Sequence, residues 1–121
     1  MRFMSFGIFI AFFSLHPAVS ASESCAGKPV AEVVTFKLVA EASISEFKLS
    51  AVSVEKELQK IPGYQRRSLL RSDAGEWIDI VNWNQLTTAK AAAVSLQENP
   101  AAQQFFSHID PSSVALNYYC E

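Results

Sequence analysis

The sequence predicts an α+β fold of the ferredoxin-like type, with a four-stranded antiparallel sheet and two helices on one face. The residue patterns predict strands at residues 30–39 and 114–120 and a β-hairpin at residues 64–82. An apolar stripe with helical spacing follows the first and the third strand, so the order is βαββαβ. In that topology the first and last strands are antiparallel neighbours, and we expect both at the centre of the sheet.

The N-terminal segment predicts a secretory signal peptide over residues 1–21. Arg2 precedes an apolar run that ends near Leu15, and small residues at 18–21 provide a cleavage site. The run is about 13 residues long, whereas a membrane-spanning helix needs roughly 20. We therefore expect cleavage after Ala21, one domain over residues 22–121, no membrane segment after cleavage, and a secreted or periplasmic protein.

Charge and composition exclude two classes of site. The chain has 10 Lys and Arg and 12 Asp and Glu residues, so removal of Arg2 takes its net charge from −2 to −3. Nucleic-acid binding usually requires a basic face, so we expect no nucleic-acid partner. Two cysteines without a nearby histidine fall short of the four ligands of a structural zinc site, so we expect no metal, and we expect no cofactor.

The first strand and the first helix follow from the pattern of residues 30–60. Residues 30–39 are β-branched and apolar on both faces, as in a central strand covered from two sides. Ser43 lies three residues before Glu46 and forms a capping box. Apolar residues then recur at steps of three and four until Pro62-Gly63, which predicts a helix over residues 44–60 with an inward stripe of Ile44, Phe47, Ala51, Val54, Leu58 and Ile61.

The remaining elements follow from turn residues and alternation. Residues 64–72 and 76–82 are strands whose connection contains Gly75, which can adopt the positive φ of a hairpin. Asn84 is predicted to cap a helix over residues 85–98. Asn99-Pro100 ends it, residues 101–107 add a short turn of helix, and residues 114–120 alternate as a strand. The second helix is expected to face the sheet with Leu86, Ala89, Ala93 and Leu96.

The two cysteines lie at the two ends of the mature chain. A secreted protein enters an oxidising space, so we predict a disulfide between Cys25 and Cys120. The predicted topology independently places the start of the first strand beside the end of the last strand. Two free buried thiols, or a bridge between subunits, remain the alternatives.

Three segments resemble the antibiotic biosynthesis monooxygenase (ABM) branch of the dimeric α+β barrel superfamily. They are KIPGYQRRSLLRS, GEWIDIVNW with the alanine-rich helix after it, and NPAAQQFFSHIDPSSVALNYY, and the resemblance covers about residues 28–119. It implies a homodimer whose two sheets pack face to face with the helices outside. It also implies a pocket for a small apolar or aromatic ligand between sheet and helices in each subunit.

The resemblance leaves two functions open. One is a cofactor-independent monooxygenase of electron-rich aromatic substrates, and the other is a non-catalytic secreted dimer that binds a ligand or has a structural role. Haem degradation, known in some ABM-like proteins, is not expected. The asparagine of the first strand in that pattern is missing before Asn82, and its helix histidine is missing between residues 85 and 98.

The third strand carries the candidate site residues. Trp77, Asp79 and Trp83 share one face of it, and two indole rings on an open face would form an apolar patch that a dimer buries. The two tryptophans either pack in the core or interface, or line a ligand pocket. Asp79 requires a partner if buried, and Arg66, Arg67 and Arg71 across the hairpin are available. Arg66 and Arg67 face opposite sides, so at most one shares a pocket with Asp79.

The last part of the chain supplies the other candidates. His108 is the only histidine after cleavage and is expected in a surface or capping role, with proton transfer as the alternative for His108 and for Asp79. Tyr118 and Tyr119 point to opposite faces of the last strand, and Asn117 shares the face of Tyr119. The ligand-binding candidates are therefore Trp77, Trp83, Arg67, Asn117 and Tyr119.

Overall fold

The computed structural model describes residues 24–121, so the predicted signal peptide lies outside the described residues. The element order confirms βαββαβ, together with the short helix predicted near residues 101–107. A single 3-10 turn precedes the last strand, and no helix in the described range is long and apolar enough to cross a bilayer. The elements are β1 (Val30–Phe36), α1 (Ile44–Leu58), β2 (Tyr64–Arg71), β3 (Trp77–Trp83), α2 (Leu86–Leu96), α3 (Pro100–Phe106), the turn at Pro111–Ser113, and β4 (Ala115–Tyr119).

The sheet is antiparallel with the strand order β2-β3-β1-β4. The expected pairing of the first and last strands is confirmed, with Val33 opposite Asn117. The expectation that both lie at the centre is wrong, because β4 is an edge strand. Strand β1 pairs with β3 on one side and with β4 on the other, and β4 pairs with β1 alone among the described strands. This edge position leaves part of β4 uncovered near the candidate site.

Helix α1 forms as its cap and apolar stripe require. Ser43 Oγ accepts a hydrogen bond from the backbone N–H of Glu46 at 3.2 Å. The helix buries Phe47, Ala51, Val54 and Leu58, but Ile44 is exposed, so the predicted stripe begins one turn later. The chain then turns at Gly63, whose φ is +94°. A Cβ added there would lie within 3 Å of side-chain atoms of Asn84 and Thr88.

Helices α2 and α3 begin differently. Gln85 occupies the N-cap position of α2 without a side-chain hydrogen bond, so the prediction of an Asn84 cap is wrong. Asn84 Oδ1 accepts a hydrogen bond from Thr88 Oγ1 at 2.7 Å, which removes it from capping. Asn99 Oδ1 accepts from the backbone N–H of Ala102, so the predicted breaker also begins α3. Ala89 and Ala92 are the buried residues of α2, whereas Ala93 is only half-buried.

The face of β3 that carries the two tryptophans is the face covered by the helices. Trp77, Val81 and Trp83 are 4%, 8% and 1% exposed because they face the helices. Ile78 and Ile80 occupy the face that no helix covers. Strand β3 has large apolar side chains on both faces. Its sequence therefore shows which residues share a face, but it does not show which face the helices cover. The two tryptophans therefore pack in the core, which is one of the alternatives that the sequence left open, and not on an open face that a dimer would bury.

Cys25, before β1, and Cys120, after β4, form the predicted disulfide. Their Cα atoms lie 5.7 Å apart, and the bridge closes a loop with a sequence separation of 95. The bond lies within one chain, which excludes free thiols and a bridge between subunits. In the chain-entropy model a loop of this length contributes roughly 4 to 5 kcal/mol to stability.

Candidate functional site

An apolar cavity of about 260 Å³ lies between the helix-covered face of the sheet and α3. Its floor comes from β1 and β3, and its walls come from α3 and the segment that leads into β4. Leu116, which lies opposite Val34 across the β1–β4 pair, is 45% exposed because no helix covers this edge. The exposed lining residues are Phe106, Pro111 and Val114, so the cavity opens between α3 and the segment that leads into β4. Its lining consists of Val34, Phe36, Asp79, Phe105, Phe106, Ile109, Pro111 and Val114.

Asp79 is the one charged residue of this lining, and Arg67 neutralises it. Arg67 Nε donates to Asp79 Oδ1 at 2.8 Å, and Nη2 donates to Oδ2 at 2.7 Å. The remaining guanidinium nitrogen donates to the Ala51 carbonyl at 3.0 Å, and the guanidinium stacks over Phe105 at 5.1 Å. The predicted ion pair is thus confirmed, with Arg67 as the partner. Burial is the largest single influence and lowers the pKa of Arg67, but the hydrogen bonds to Asp79 and the negative charges of Asp79 and Glu55 together exceed it, so the net shift is upward.

A second, partly buried carboxyl group, Glu32, lies on β1 and also faces the helices. Its Oε1 accepts a hydrogen bond from Trp83 Nε1 at 2.9 Å. Among the described residues no arginine or lysine pairs with Glu32. Burial raises the pKa of this carboxyl group, the Trp83 hydrogen bond lowers it, and the negative charge of Asp79 raises it, with a net shift upward.

Tyr118 stands next to Glu32 across the β1–β4 pair. Burial and the charge of Glu32 both raise the pKa of its phenol group, so it is neutral at pH 7. Lys90 of α2 lies over the Tyr118 ring at 5.8 Å. Glu32, Trp83 and Tyr118 thus form a polar cluster. It lies two residues along the strands from the pair of Val34 and Leu116, of which Val34 lines the cavity.

His108 lies behind the cavity and is buried, so its expected surface position is wrong. Its Nδ1–H donates to the Gln104 carbonyl at 3.0 Å, because a carbonyl can only accept. The ring packs against Phe47 with 5.9 Å between the ring centroids. The hydrogen bond from His108 satisfies the Gln104 carbonyl in the last turn of α3, and this is the capping role that the sequence predicted.

The sheet separates the five predicted ligand-binding residues into two groups. Arg67, Trp77 and Trp83 face the helices, while Asn117 and Tyr119 face the other side, with Tyr119 56% exposed. The predicted opposition of Tyr118 and Tyr119 is confirmed. A second, open groove of about 680 Å³ lies on the side of Tyr119 near the disulfide. No single cavity brings these five residues together.

Glu32 is the residue that the sequence prediction missed. It occurs in VAEVVTF, where its neighbours at steps of two are Val30, Val34 and Phe36. A lone carboxylate in the apolar phase of a central strand is costly to bury without a function or a partner. That pattern was readable in the sequence. The same described residues hold no group of three His, Cys, Asp or Glu side chains that could bind a metal.

Comparison with solved structures identifies the fold. SnoaB from Streptomyces nogalater, a cofactor-independent oxygenase, superposes with a TM-score of 0.66 at 17% identity and covers 78% of this chain and 93% of its own. A Caulobacter crescentus protein whose name assigns it to the antibiotic biosynthesis monooxygenases has a TM-score of 0.68 at 14% identity, covering 84% and 97%. This chain has their ABM-like fold.

A third similar structure is a dimer. This protein of unknown function from Bacteroides fragilis has a ferredoxin-like fold, a TM-score of 0.58 and 17% identity, and covers 80% of this chain and 99% of its own. No family model and no curated protein matches the sequence. At identities of this size the likeness establishes the fold and leaves activity open.

Proposed function

We propose that this protein is a secreted homodimer that binds a small apolar or aromatic molecule in the cavity beneath α3. The observation that carries the proposal is the composition of the cavity. Seven of its eight lining residues are apolar, and the eighth, Asp79, has both carboxylate oxygens hydrogen-bonded to Arg67. A ligand therefore meets no free charge on the floor. Ligand sites of this kind are concave and mostly apolar.

The size and the opening of the cavity support a small ligand. At about 260 Å³ it lies just below the usual range for drug-sized molecules, roughly 300–1,000 Å³. Phe106 and Val114 at its rim are 47% and 45% exposed, so apolar surface remains in water until something covers it. Aromatic rings in the lining favour a flat partner that stacks on them.

Secretion is supported by the disulfide and by the N-terminal sequence. A structural disulfide persists in oxidising compartments and is rare in a reducing cytosol. The apolar run after Arg2 is consistent with delivery to such a compartment. The periplasm and the cell exterior are both compatible with these features.

Homodimer formation is supported by the uncovered face of the sheet. Ile78, Ile80 and Val33 lie at its centre, and Leu70 at its edge is 57% exposed. A strand with one solvated face normally alternates apolar and polar residues, but β3 has apolar residues on both faces, with Ile78 and Ile80 on the uncovered one. The dimeric protein from B. fragilis shows that a chain of this fold can self-associate. We expect Ile80→Asp to give a monomer in sedimentation velocity, while Val52→Asp on the exposed side of α1 leaves a dimer.

A cofactor-independent monooxygenase is the second candidate function. It is favoured by the similarity to SnoaB and by Glu32, a carboxyl group with a raised pKa near the cavity. A base placed this way could remove a proton from an electron-rich aromatic substrate. Oxygen uptake that requires both the aromatic compound and Glu32 would favour the enzyme over the binding protein.

Native mass spectrometry of the protein purified from its own host tests the binding function. We expect a dimer that carries a small additional mass. Val114→Trp should fill the rim of the cavity and remove this mass, whereas Val94→Trp, on an exposed part of α2, should retain it. A ligand that remains bound in the Val114→Trp variant would contradict the proposed location.

A further inference from the structure

Glu32 has a free acceptor directed to the helix side of the sheet. One carboxylate oxygen accepts from Trp83, and the second has no hydrogen-bond partner among residues 24–121. A partly buried carboxylate oxygen without a donor is costly, and such groups in native proteins usually meet water or a ligand. The group is thus available to a ligand, unlike Asp79.

The sheet register places this acceptor beside the apolar cavity. Glu32 and Val34 are two residues apart on β1 and point to the same face, and their partners on β4 are Tyr118 and Leu116. Neighbouring pairs on one face of a strand lie about 7 Å apart. A ring seated against Val34 can therefore extend a substituent to Glu32 along the uncovered edge of β4.

The surrounding charges decide which donor suits this acceptor. Asp79 of β3 is balanced by Arg67 of β2, Tyr118 of β4 is neutral, and Lys90 of α2 lies over the Tyr118 ring. A cationic amine would have to lose its hydration among apolar side chains and close to Lys90, which is costly. A neutral hydroxyl group loses far less hydration and forms a strong O–H···O⁻ bond.

We propose that Glu32 is the hydrogen-bond acceptor that selects hydroxylated aromatic molecules, that is, phenols, for the cavity. This inference rests on the proposed binding function and names its ligand class. The ring occupies the apolar lining, and the hydroxyl group donates to the free oxygen of Glu32. Trp83 holds the carboxylate in place through the other oxygen.

Three probes of similar shape test this selection by isothermal titration calorimetry: 2-naphthol, 2-methoxynaphthalene and naphthalene. At pH 7 the wild-type protein should bind 2-naphthol roughly 10- to 100-fold more tightly than 2-methoxynaphthalene, because a hydrogen bond to a charged group is lost with the methyl ether. Naphthalene measures the contribution of the apolar cavity alone.

Glu32→Gln should remove the preference for the hydroxyl group. Trp83 N–H requires an acceptor, so the amide oxygen of the variant turns to Trp83 and its NH₂ group faces the ligand. Because 2-naphthol and 2-methoxynaphthalene both carry an oxygen that can accept from this NH₂ group, the variant is expected to bind the two with similar affinity. Glu98→Gln, on the exposed surface after α2, should retain the wild-type preference.

The pH dependence gives a second readout that needs no variant. As pH falls through the raised pKa of Glu32, the carboxylate becomes protonated and the preference for 2-naphthol should disappear. Naphthalene binding should not change over the same range.

The outcomes separate this inference from the proposed function. Equal affinity for 2-naphthol and 2-methoxynaphthalene, unchanged by Glu32→Gln and by pH, would overturn the role of Glu32 while naphthalene binding upheld the cavity. Binding of none of the three probes would overturn both.

Discussion

Two carboxyl groups lie on neighbouring central strands of the same sheet face, and their surroundings differ completely. Asp79 of β3 has both oxygens bonded to one arginine, and the pair is almost fully enclosed, with side chains 11% and 4% exposed. Glu32 of β1 has one oxygen bonded to an indole and the other unbonded among the described residues. One group is closed by the protein, and the other is open to a partner.

The strand order explains this difference. β3 lies between β2 and β1, so Asp79 can reach Arg67 on β2, diagonally across the pair. β1 lies between β3 and β4, and the residues opposite Glu32 are Val81 and Tyr118, neither of which is a cation. The closed carboxylate is therefore a structural group, and we propose the open one as the group that meets the ligand. Substitutions at each group in turn test this distinction.

Arg67→Met should have the largest effect on stability. It leaves Asp79 buried without a counter-ion, and breaking a buried pair in this way costs about 3 to 5 kcal/mol. Urea denaturation measures the free energy of unfolding. Arg66→Met, on the opposite face and exposed, should change it little. Equal effects of the two substitutions would show that Asp79 is not held as described.

Replacing both members of the pair should recover much of the loss. With Arg67→Met and Asp79→Val together, no buried charge remains, and such apolar replacements are often neutral. A double-mutant cycle from the same denaturation data gives the coupling energy. Simple addition of the two single effects would contradict a direct interaction.

Trp83→Phe should have an intermediate effect. It removes the indole N–H that Glu32 accepts, together with part of a side chain that is 1% exposed. We expect a loss of roughly 1 to 3 kcal/mol in urea denaturation. An NMR titration of the Glu32 carboxyl group should show a still higher pKa, because the one hydrogen bond that lowers it is gone. An unchanged pKa would mean that Trp83 does not hold this carboxylate.

Glu32→Gln should have the smallest effect on stability, visible mainly in its pH dependence. The pKa of Glu32 is raised from 4.5, so the folded state binds this proton more tightly than the unfolded state. The contribution of Glu32 to wild-type stability should therefore decrease as pH rises from 4.5 through the raised pKa and level off above it.

The variant should lack this decrease, whereas Glu98→Gln should keep it. Thermal unfolding scans across this pH range provide the comparison. Identical pH profiles for wild type and Glu32→Gln would contradict the raised pKa.

Much of the fold was predictable because its signals are local or concern chain ends. Ser43 and Gly75 mark a helix start and a hairpin, and the two terminal cysteines meet because β1 and β4 are neighbours. The covered face of β3 was not predictable, since it depends on where α1 and α2 pack. Both faces of β3 offer apolar side chains, so tertiary packing alone decides.

The candidate site was predictable only in part. Asp79 and its arginine partner follow from a charged residue in an apolar strand beside a hairpin, although Arg67 could be chosen only as one of three arginines. Glu32 was overlooked because its strand was interpreted as apolar on both faces. The separation of Asn117 and Tyr119 from Trp77 follows once the covered face is known.

The most direct test of a ligand site beneath α3 is NMR measurement of intermolecular nuclear Overhauser effects with bound 2-naphthol. We expect contacts from the naphthol ring to Val34, Phe106 and Val114 of the cavity. Contacts to Ile78 and Ile80 on the uncovered face, or to Tyr119 near the disulfide, would contradict it.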